Sequence, residues 1–164
     1  MARTSKRKVR LESQSLQENV SVKTYMAGIY ARLSVDNHDG KEISIETQIE
    51  MAKEYLKSHT EITLYDCYSD LGATGTNFQR SDFERLMQDV RDGLINCIIV
   101  KDFSRFGRNY IETGNFVEKI FPFLGVRFIA ITDQYDSIKQ ADCNEALSMH
   151  LKNIANELYA RDIA

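Results

Sequence analysis

Apolar residues follow two different patterns along the chain, and the first example of each pattern lies in the first third of the sequence. The run AGIYARL at 27–33 is short, largely apolar and free of Pro, as expected for a β-strand. From Ile45 to Leu56, apolar residues recur three or four positions apart, which is the spacing of an amphipathic helix. The pattern therefore predicts a strand followed by a helix.

A second strand and helix are predicted downstream. The strand runs from Ile62 towards Tyr68, and the loop DLGATGTNFQR comes after it, with two glycines that permit unusual backbone angles. Ser81 and Glu84 have the form of a capping box, so a helix is predicted to begin there. We expect this helix to end near Gly93.

The third strand is the continuous apolar run Cys97–Val100, typical of the buried middle of a parallel sheet. The polar run KDFSRFGRN follows it, and then a helix that includes Val117 and is ended by Pro122 and Gly125. A fourth strand is predicted over 127–131. The order βαβαβαβ predicts an α/β fold, with a mostly parallel central sheet of about four to five strands and helices on both faces.

Three regions are predicted along the chain. Residues 1–24 are expected to be a mobile basic and polar tail, and residues 25–140 one compact domain. Residues 141–164 are predicted to begin a long helix that the sequence cuts before its natural end. Its apolar seam consists of Leu147, Leu151, Ile154 and Leu158.

Charge limits what the chain does by itself. The net charge is −3, and because the first ten residues contribute +5, the other 154 sum to −8. Such a chain holds DNA weakly, since phosphate contacts need a local excess of Lys and Arg. Neither a secretory signal nor a membrane-spanning run is present, so we expect a cytoplasmic protein with no membrane role.

The sequence predicts no metal and no cofactor. Its three cysteines form no C-x-x-C pair, and its three histidines share no ligand spacing with each other or with a cysteine. Neither G-x-G-x-x-G after the first strand nor G-x-x-x-x-G-K-[ST] occurs, which argues against NAD or ATP.

Arginines and one serine follow the predicted strands. Arg32 and Ser34 come at the end of the first strand, Arg80 follows the second, and Arg105 and Arg108 follow the third. Ligands of open α/β sheets collect at the carboxyl ends of strands, and Arg105 and Arg108 share one face if their segment is helical. Guanidinium groups suit phosphate, and a hydroxyl is a nucleophile, so the set favours phosphoryl transfer. Each residue taken alone is better explained without a function, for example as an exposed charge in a surface ion pair, and only the joint placement at strand ends makes the functional interpretation about equally good.

The motifs resemble those of the serine recombinases, the resolvase and invertase superfamily, over about residues 26–164. Tyr30 to Ser34 resembles the Y-x-R-x-S nucleophile motif, and Ser44 to Gln48 the S-[LI]-x-x-Q that follows it. Asp70 and Arg80 match the loop after the second strand. The segment 104–108 resembles D-R-L-G-R, and KDFSRFGRN and IFPFLGVRF are similar to the large, transposon-type subgroup.

The resemblance implies a site-specific DNA recombinase that needs no ATP. Ser34 would join a DNA 5′ phosphate, Arg32, Arg80, Arg105 and Arg108 would bind phosphate, and Gln48 and Asp70 would belong to the catalytic set. It also implies double-stranded DNA as partner, a homodimer that assembles to a tetramer, a subunit-contact and DNA role for the last helix, and DNA-binding domains beyond residue 164. We expect the isolated chain to be a monomer or weak dimer.

One position departs from the family motif. Ser104 stands where the aspartate before the first arginine is usual, while Asp102 lies two residues earlier. Two sources of the proton for the leaving oxygen stay open, Asp102 or an arginine. The alternative function is a catalytically impaired, DNA-associated regulator with the same fold.

Overall fold

The computed structural model describes residues 23–33, 43–71, 80–107 and 109–139. The predicted tail up to residue 22 and the predicted helix over 141–164 lie outside these ranges. Within them, no helix combines the length and the hydropathy that crossing a membrane requires.

The described residues form one five-stranded sheet in the order β2-β1-β3-β4-β5. The first four of these strands are parallel, and β5 is antiparallel to β4. The strands are β1 Tyr25–Leu33, β2 Ile62–Leu71, β3 Cys97–Val100, β4 Arg127–Ala130 and β5 Tyr135–Asp136. The predicted α/β fold with a mostly parallel sheet is confirmed.

The helices lie between the strands in sequence. They are α1 Ile45–Lys57, α2 Ser81–Arg91, a 3₁₀ turn Phe103–Arg105, α3 Tyr110–Asn115, a π-helical turn Phe116–Ile120 and α4 Phe121–Leu124. Helix α1 begins at the N-cap Ser44, whose hydroxyl accepts a hydrogen bond from the Thr47 amide at 3.2 Å.

Two apolar layers cover the two faces of the sheet. On one face, Ala27, Ile29 and Ile99 pack with Ala52 of α1. The other face carries the larger core, to which α2 contributes Leu86 and the segment from α3 to α4 contributes Phe121. Because right-handed crossovers to opposite sides of β1 place their helices on opposite faces, this division follows from the strand order.

Aromatic rings fill the second layer. Phe106 contacts the rings of Phe83, Phe121 and Phe128 with centroids 5.1–5.4 Å apart, each in an edge-to-face arrangement. Phe106 is fully buried although it lies in the polar run after β3. The run that carries the candidate arginines is therefore anchored in the core by its own side chain.

The capping-box prediction at the start of α2 is wrong. The N-cap is Arg80, and no side chain of the box caps the helix. Instead, the Asp70 carboxylate at the end of β2 caps α2. Its Oδ1 accepts from the Asp82 amide at 3.1 Å, and its Oδ2 accepts from the Phe83 amide at 3.0 Å. A carboxylate brought by the tertiary fold has taken the place of a local hydroxyl.

Pro122 does not end its helix, contrary to prediction. The preceding turn is π-helical, and Pro122 lies in the first turn of α4, where a missing N–H costs little. Gly125, with φ 68°, ends the helix as expected.

A buried ion pair joins β4 to β5 near the amino end of the sheet. The Arg127 guanidinium donates to both Asp136 carboxylate oxygens, at 3.1 and 2.7 Å, and both side chains are only 6% exposed. Arg127 also donates to Glu61 at 3.3 Å and lies 4.9 Å from the Tyr25 ring. This pair holds the two-residue strand β5 in the sheet.

We expect Arg127→Met to lower the free energy of unfolding by about 3–5 kcal/mol, because it leaves the Asp136 charge buried without its bidentate partner. The double variant Arg127→Met/Asp136→Leu should recover most of the loss, since no unpaired charge remains. Urea denaturation measures both. A double variant no more stable than Arg127→Met would contradict this explanation.

Candidate phosphate-binding site

The candidate site lies at the carboxyl ends of β1, β2 and β3. Arg32 of β1 is in register with Asp70 of β2, and Tyr30 is in register with Val100, the last residue of β3. Strands β2 and β3 flank β1, so the chain leaves β1 and β3 towards opposite faces of the sheet. Such a divergence opens a crevice at the strand ends, where open α/β sheets bind their ligands.

Gln48 fixes the end of β1 to the start of α1. Its side chain is 1% exposed and accepts from the Arg32 amide at 3.3 Å. Its amide donates to the Arg32 carbonyl at 3.2 Å and to the Ile43 carbonyl at 2.9 Å. Gln48 thus ties together the residues on both sides of 34–42. Ser34 itself lies outside the described residues.

The Arg32 guanidinium is hydrogen-bonded to the backbone of the segment after β3. Its Nη2 donates to the Ser104 carbonyl at 2.8 Å and to the Gly107 carbonyl at 3.3 Å. In return, Arg105 Nη1 donates to the Arg32 carbonyl at 3.4 Å. The structure thus brings together two of the sequence-predicted arginines, one from the end of β1 and one from the turn after β3.

The Asp70 carboxylate is buried between the strands and α2. Besides capping α2, it accepts the Tyr30 hydroxyl at 2.9 Å. Burial is the main cause that raises the pKa of Tyr30, so this phenol stays protonated and acts as a donor. Asp70 is 5% exposed. Its place in the structure is that of a connector.

Arg80 is also buried, at 5% exposure. Its Nε and Nη2 each lie 3.3 Å from the Tyr30 hydroxyl oxygen, Nη2 also donates to the Phe106 carbonyl, and Nη1 lies 3.4 Å from Glu112 Oε1. The guanidinium carbon is 3.7 Å from the centroid of the Phe83 ring. The predicted phosphate ligand thus contacts the protein interior here, and phosphate binding by Arg80 stays a prediction.

The turn that carries Arg105 is a single 3₁₀ turn that ends at Arg105. The condition for Arg105 and Arg108 to share a helical face is therefore not met in the described part of this segment. Arg108 lies outside the described residues. Asp102 is the N-cap of the turn and accepts from the Arg105 amide at 3.2 Å.

The other contacts of Asp102 decide its protonation. Ser104 Oγ donates to Oδ1 at 2.5 Å, and Lys101 Nζ lies 2.6 Å from Oδ2. Burial favours a raised pKa for Asp102, but the hydrogen bonds from Lys101 and Ser104 and the nearby Lys101 and Arg105 charges outweigh it, and the net pKa is lowered. Asp102 is therefore an ionised acceptor at neutral pH, which disfavours its use as a proton donor.

Gly107 is required by close packing. A Cβ atom there would lie 2.1 Å from Thr113 Oγ1 and 3.0 Å from the Asn109 carbonyl oxygen. Thr113 is buried and donates to that same carbonyl at 3.0 Å. Any side chain at position 107 would push the turn away from α3.

Sequence reasoning missed three contributors: Tyr30, Lys101 and Glu112. Tyr30 lies within the first motif, two residues before Arg32 and on the same side of β1, so strand alternation is a signal that points to it. Lys101 and Glu112 carry no such signal, because their partners depend on the tertiary fold. Among the described residues, no group of three His, Cys, Asp or Glu side chains is arranged to hold a metal ion.

A family model described as "Resolvase, N terminal domain" matches residues 27–164. The chain belongs to the resolvase family. The predicted membership of the serine recombinases is confirmed. The resolvase domain therefore belongs to a class of enzymes, the recombinases, that act on DNA. No curated protein sequence matches it significantly.

Solved structures share the fold of the resolvase domain. The N-terminal catalytic domain of TP901-1 integrase is similar at 22% identity and a TM-score of 0.60, over 84% of this chain and 98% of that one. A resolvase family site-specific recombinase from Streptococcus pneumoniae is similar at 23% identity and a TM-score of 0.62, over 85% and 94%. The C-terminal catalytic domain of ISC1926 TnpA, an IS607-like serine recombinase, is similar at 26% identity and a TM-score of 0.50, over 65% and 68%.

We expect Asp70→Asn to lower the free energy of unfolding by about 1–3 kcal/mol, because the Asn amide puts a donor where an oxygen accepts from buried groups. Ser81→Ala is the matched control. It removes the hydroxyl of the rejected capping box, and we expect a change below about 0.5 kcal/mol. Urea denaturation compares the two variants, and a larger loss from Ser81→Ala would restore the capping box.

Proposed function

We propose that this resolvase domain cuts and rejoins DNA by transesterification at Ser34, as the catalytic part of a site-specific recombinase. One observation carries the proposal: Arg32 and Arg105, from neighbouring strand ends, hold each other's backbone segments at the mouth of the crevice. Ser34 follows β1 by one residue and Arg32 by two. A phosphodiester in this crevice would meet the hydroxyl and the guanidinium groups together.

In the proposed reaction, Ser34 Oγ attacks the DNA phosphorus. The serine gives its proton to solvent, and the bond from phosphorus to the 3′ oxygen breaks. That oxygen leaves as a 3′ hydroxyl after it takes a proton from an arginine, which solvent then reprotonates. The product is an ester between Ser34 and the 5′ phosphate. Rejoining is the reverse attack by a 3′ hydroxyl on this ester. One phosphate ester is exchanged for another throughout, so the reaction needs no ATP.

The proposed phosphate ligands are Arg32, Arg105 and Arg108, with Arg80 behind them. Guanidinium groups form paired hydrogen bonds with the non-bridging oxygens and stabilise the charge that builds up there. Because Arg80 binds the Tyr30 hydroxyl and the Phe106 carbonyl, it reaches phosphate only if the turn after β3 moves. Gln48 and Asp70 are assigned to positioning, Gln48 of Arg32 and Asp70 of Tyr30 and α2.

The proton for the leaving oxygen is assigned to an arginine rather than to Asp102. The lowered pKa of Asp102, which results because its donors outweigh burial, leaves it without a proton to give at neutral pH. Asp102 supports the reaction by capping the turn that ends at Arg105.

A noncatalytic, DNA-associated regulator is the second candidate, and Ser104 in place of an acidic residue is the observation that favours it. Ser104 Oγ nevertheless donates to an ionised carboxylate at 2.5 Å, so a negative charge is retained next to Arg105.

The proposed recombinase function also includes assembly. We propose that the recombinase forms a homodimer and then a tetramer, and that the segment 141–164 contacts the other subunit and DNA.

We expect Ser34→Ala to abolish covalent attachment of the recombinase to its DNA site, because it removes the attacking oxygen. The test uses the recombinase that carries this domain and a nicked duplex of its recombination site, which traps the 5′ adduct for denaturing electrophoresis. Ser69→Ala, at an exposed position of β2, is the matched control and should form the adduct normally. An adduct formed by Ser34→Ala would refute the nucleophile, and an inactive wild type would favour the regulator.

We expect Arg32→Lys, Arg105→Lys and Arg108→Lys each to slow adduct formation by about 10²-fold or more, because an ammonium group lacks the paired donors of guanidinium. Arg91→Lys, on the exposed end of α2, should keep the wild-type rate. Single-turnover adduct formation with saturating protein measures the effect. Wild-type rates in all three site variants would exclude the phosphate clamp.

A further inference from the structure

We propose that Lys101 is a positioning residue for the recombination reaction, acting through the cluster Lys101, Asp102 and Ser104 to keep Arg105 in place and available to phosphate. The proposal rests on the proposed function, and it adds a residue that the motifs leave unassigned.

Each oxygen of the Asp102 carboxylate has its own partners. Oδ2 receives the Lys101 ammonium at 2.6 Å, while Oδ1 accepts from Ser104 Oγ at 2.5 Å and from the Arg105 amide at 3.2 Å. The side chains of Lys101 and Asp102 are only 13% and 14% exposed. Little water therefore competes for these contacts, and the carboxylate is held from both sides.

The backbone around Asp102 is fixed by the segment after β4. The Thr132 amide donates to the Lys101 carbonyl at 2.8 Å, which extends the pairing of β3 with β4. On the other side of Asp102, the Phe103 amide donates to Asp133 Oδ2 at 2.7 Å. The backbone is thus anchored on both sides of Asp102. As the N-cap, Asp102 sets where the turn that carries Arg105 begins.

The Lys101 charge has a second consequence. A carboxylate beside Arg105 attracts its guanidinium group and repels a DNA phosphate. The Lys101 ammonium offsets the charge of this carboxylate at Oδ2, which is not the oxygen that accepts from the Arg105 amide. The pull of Asp102 on Arg105 and its repulsion of the phosphate are thereby reduced, which is the physical reason for a lysine at position 101.

The test compares Lys101→Met, Lys101→Gln and Lys101→Arg in the recombinase that carries this domain. We expect Lys101→Met to slow single-turnover adduct formation by about tenfold or more while the affinity for the DNA site changes by less than about threefold. Lys101→Arg should restore the rate to within about threefold of wild type, because it keeps the charge. Lys101→Gln keeps a donor without the charge and should lie between them, and Lys119→Met, at an exposed position, should have no effect.

A second readout needs no recombination activity. In the 164-residue chain, the amide of Arg105 should exchange its hydrogen faster in Lys101→Met and in Asp102→Asn than in wild type or Lys119→Met, as measured by NMR. Unchanged exchange together with a wild-type adduct rate in Lys101→Met would overturn the proposal. Loss of the adduct in the wild type would overturn the proposed function instead, and the exchange data would still decide whether Lys101 fixes the turn. Should Lys101→Met fail to fold, the Lys101→Gln and Lys101→Arg pair decides, since equal rates in these two variants would exclude a role for the charge.

Discussion

The buried Asp70 carboxylate is the contact on which the carboxyl edge of the sheet depends. It lies at the end of β2, caps the first amides of α2 and accepts the Tyr30 hydroxyl from β1. Through that hydroxyl it is linked to Arg80, whose guanidinium reaches the Phe106 carbonyl in the turn after β3. A single acidic side chain therefore joins three strand ends and one helix, and the position of the turn that carries Arg105 follows from this connection.

The two ends of the sheet serve different purposes. Near the amino ends, the ion pair between Arg127 and Asp136 is bidentate and nearly closed to solvent, which stabilises the addition of β5. At the carboxyl ends, the arginines bind backbone carbonyls and the Tyr30 hydroxyl. Here Lys101 pairs with Asp102, and Glu112 lies 3.4 Å from Arg80. The Phe83 ring of the aromatic layer lies against Arg80 of this second set and helps to shield it from water. The ion pair that holds β5 is thus separate from the charges at the candidate site.

The sequence predicts the architecture better than it predicts the site. Cys97–Val100 was predicted with its observed bounds, because an apolar run of four residues has few other structures open to it. Helix α1 likewise follows from its apolar spacing. The cap of α2 was wrong because Asp70 lies twelve residues before Asp82, and only the fold brings them together. Strand β5 has only two residues, which is too short to show any periodicity in the sequence. The residues next to Arg80 in the sequence give no sign that its side chain is buried. For Ser34 and Arg108, the sequence remains the source of the assignment.

The carbonyl contacts of Arg32 bear on how a nucleic acid would be selected. Both N–H groups of Arg32 Nη2 are already engaged by the Ser104 and Gly107 carbonyls, so a phosphate that binds through Nη2 exchanges one set of oxygen ligands for another. The net free energy gained is then only the difference between phosphate and carbonyl as acceptors, which is smaller than that of a solvated arginine that forms its first contact. Small free anions would profit little from such an exchange. A duplex that binds through many contacts at once would supply the remaining free energy, so the site favours polymeric substrates over simple phosphates.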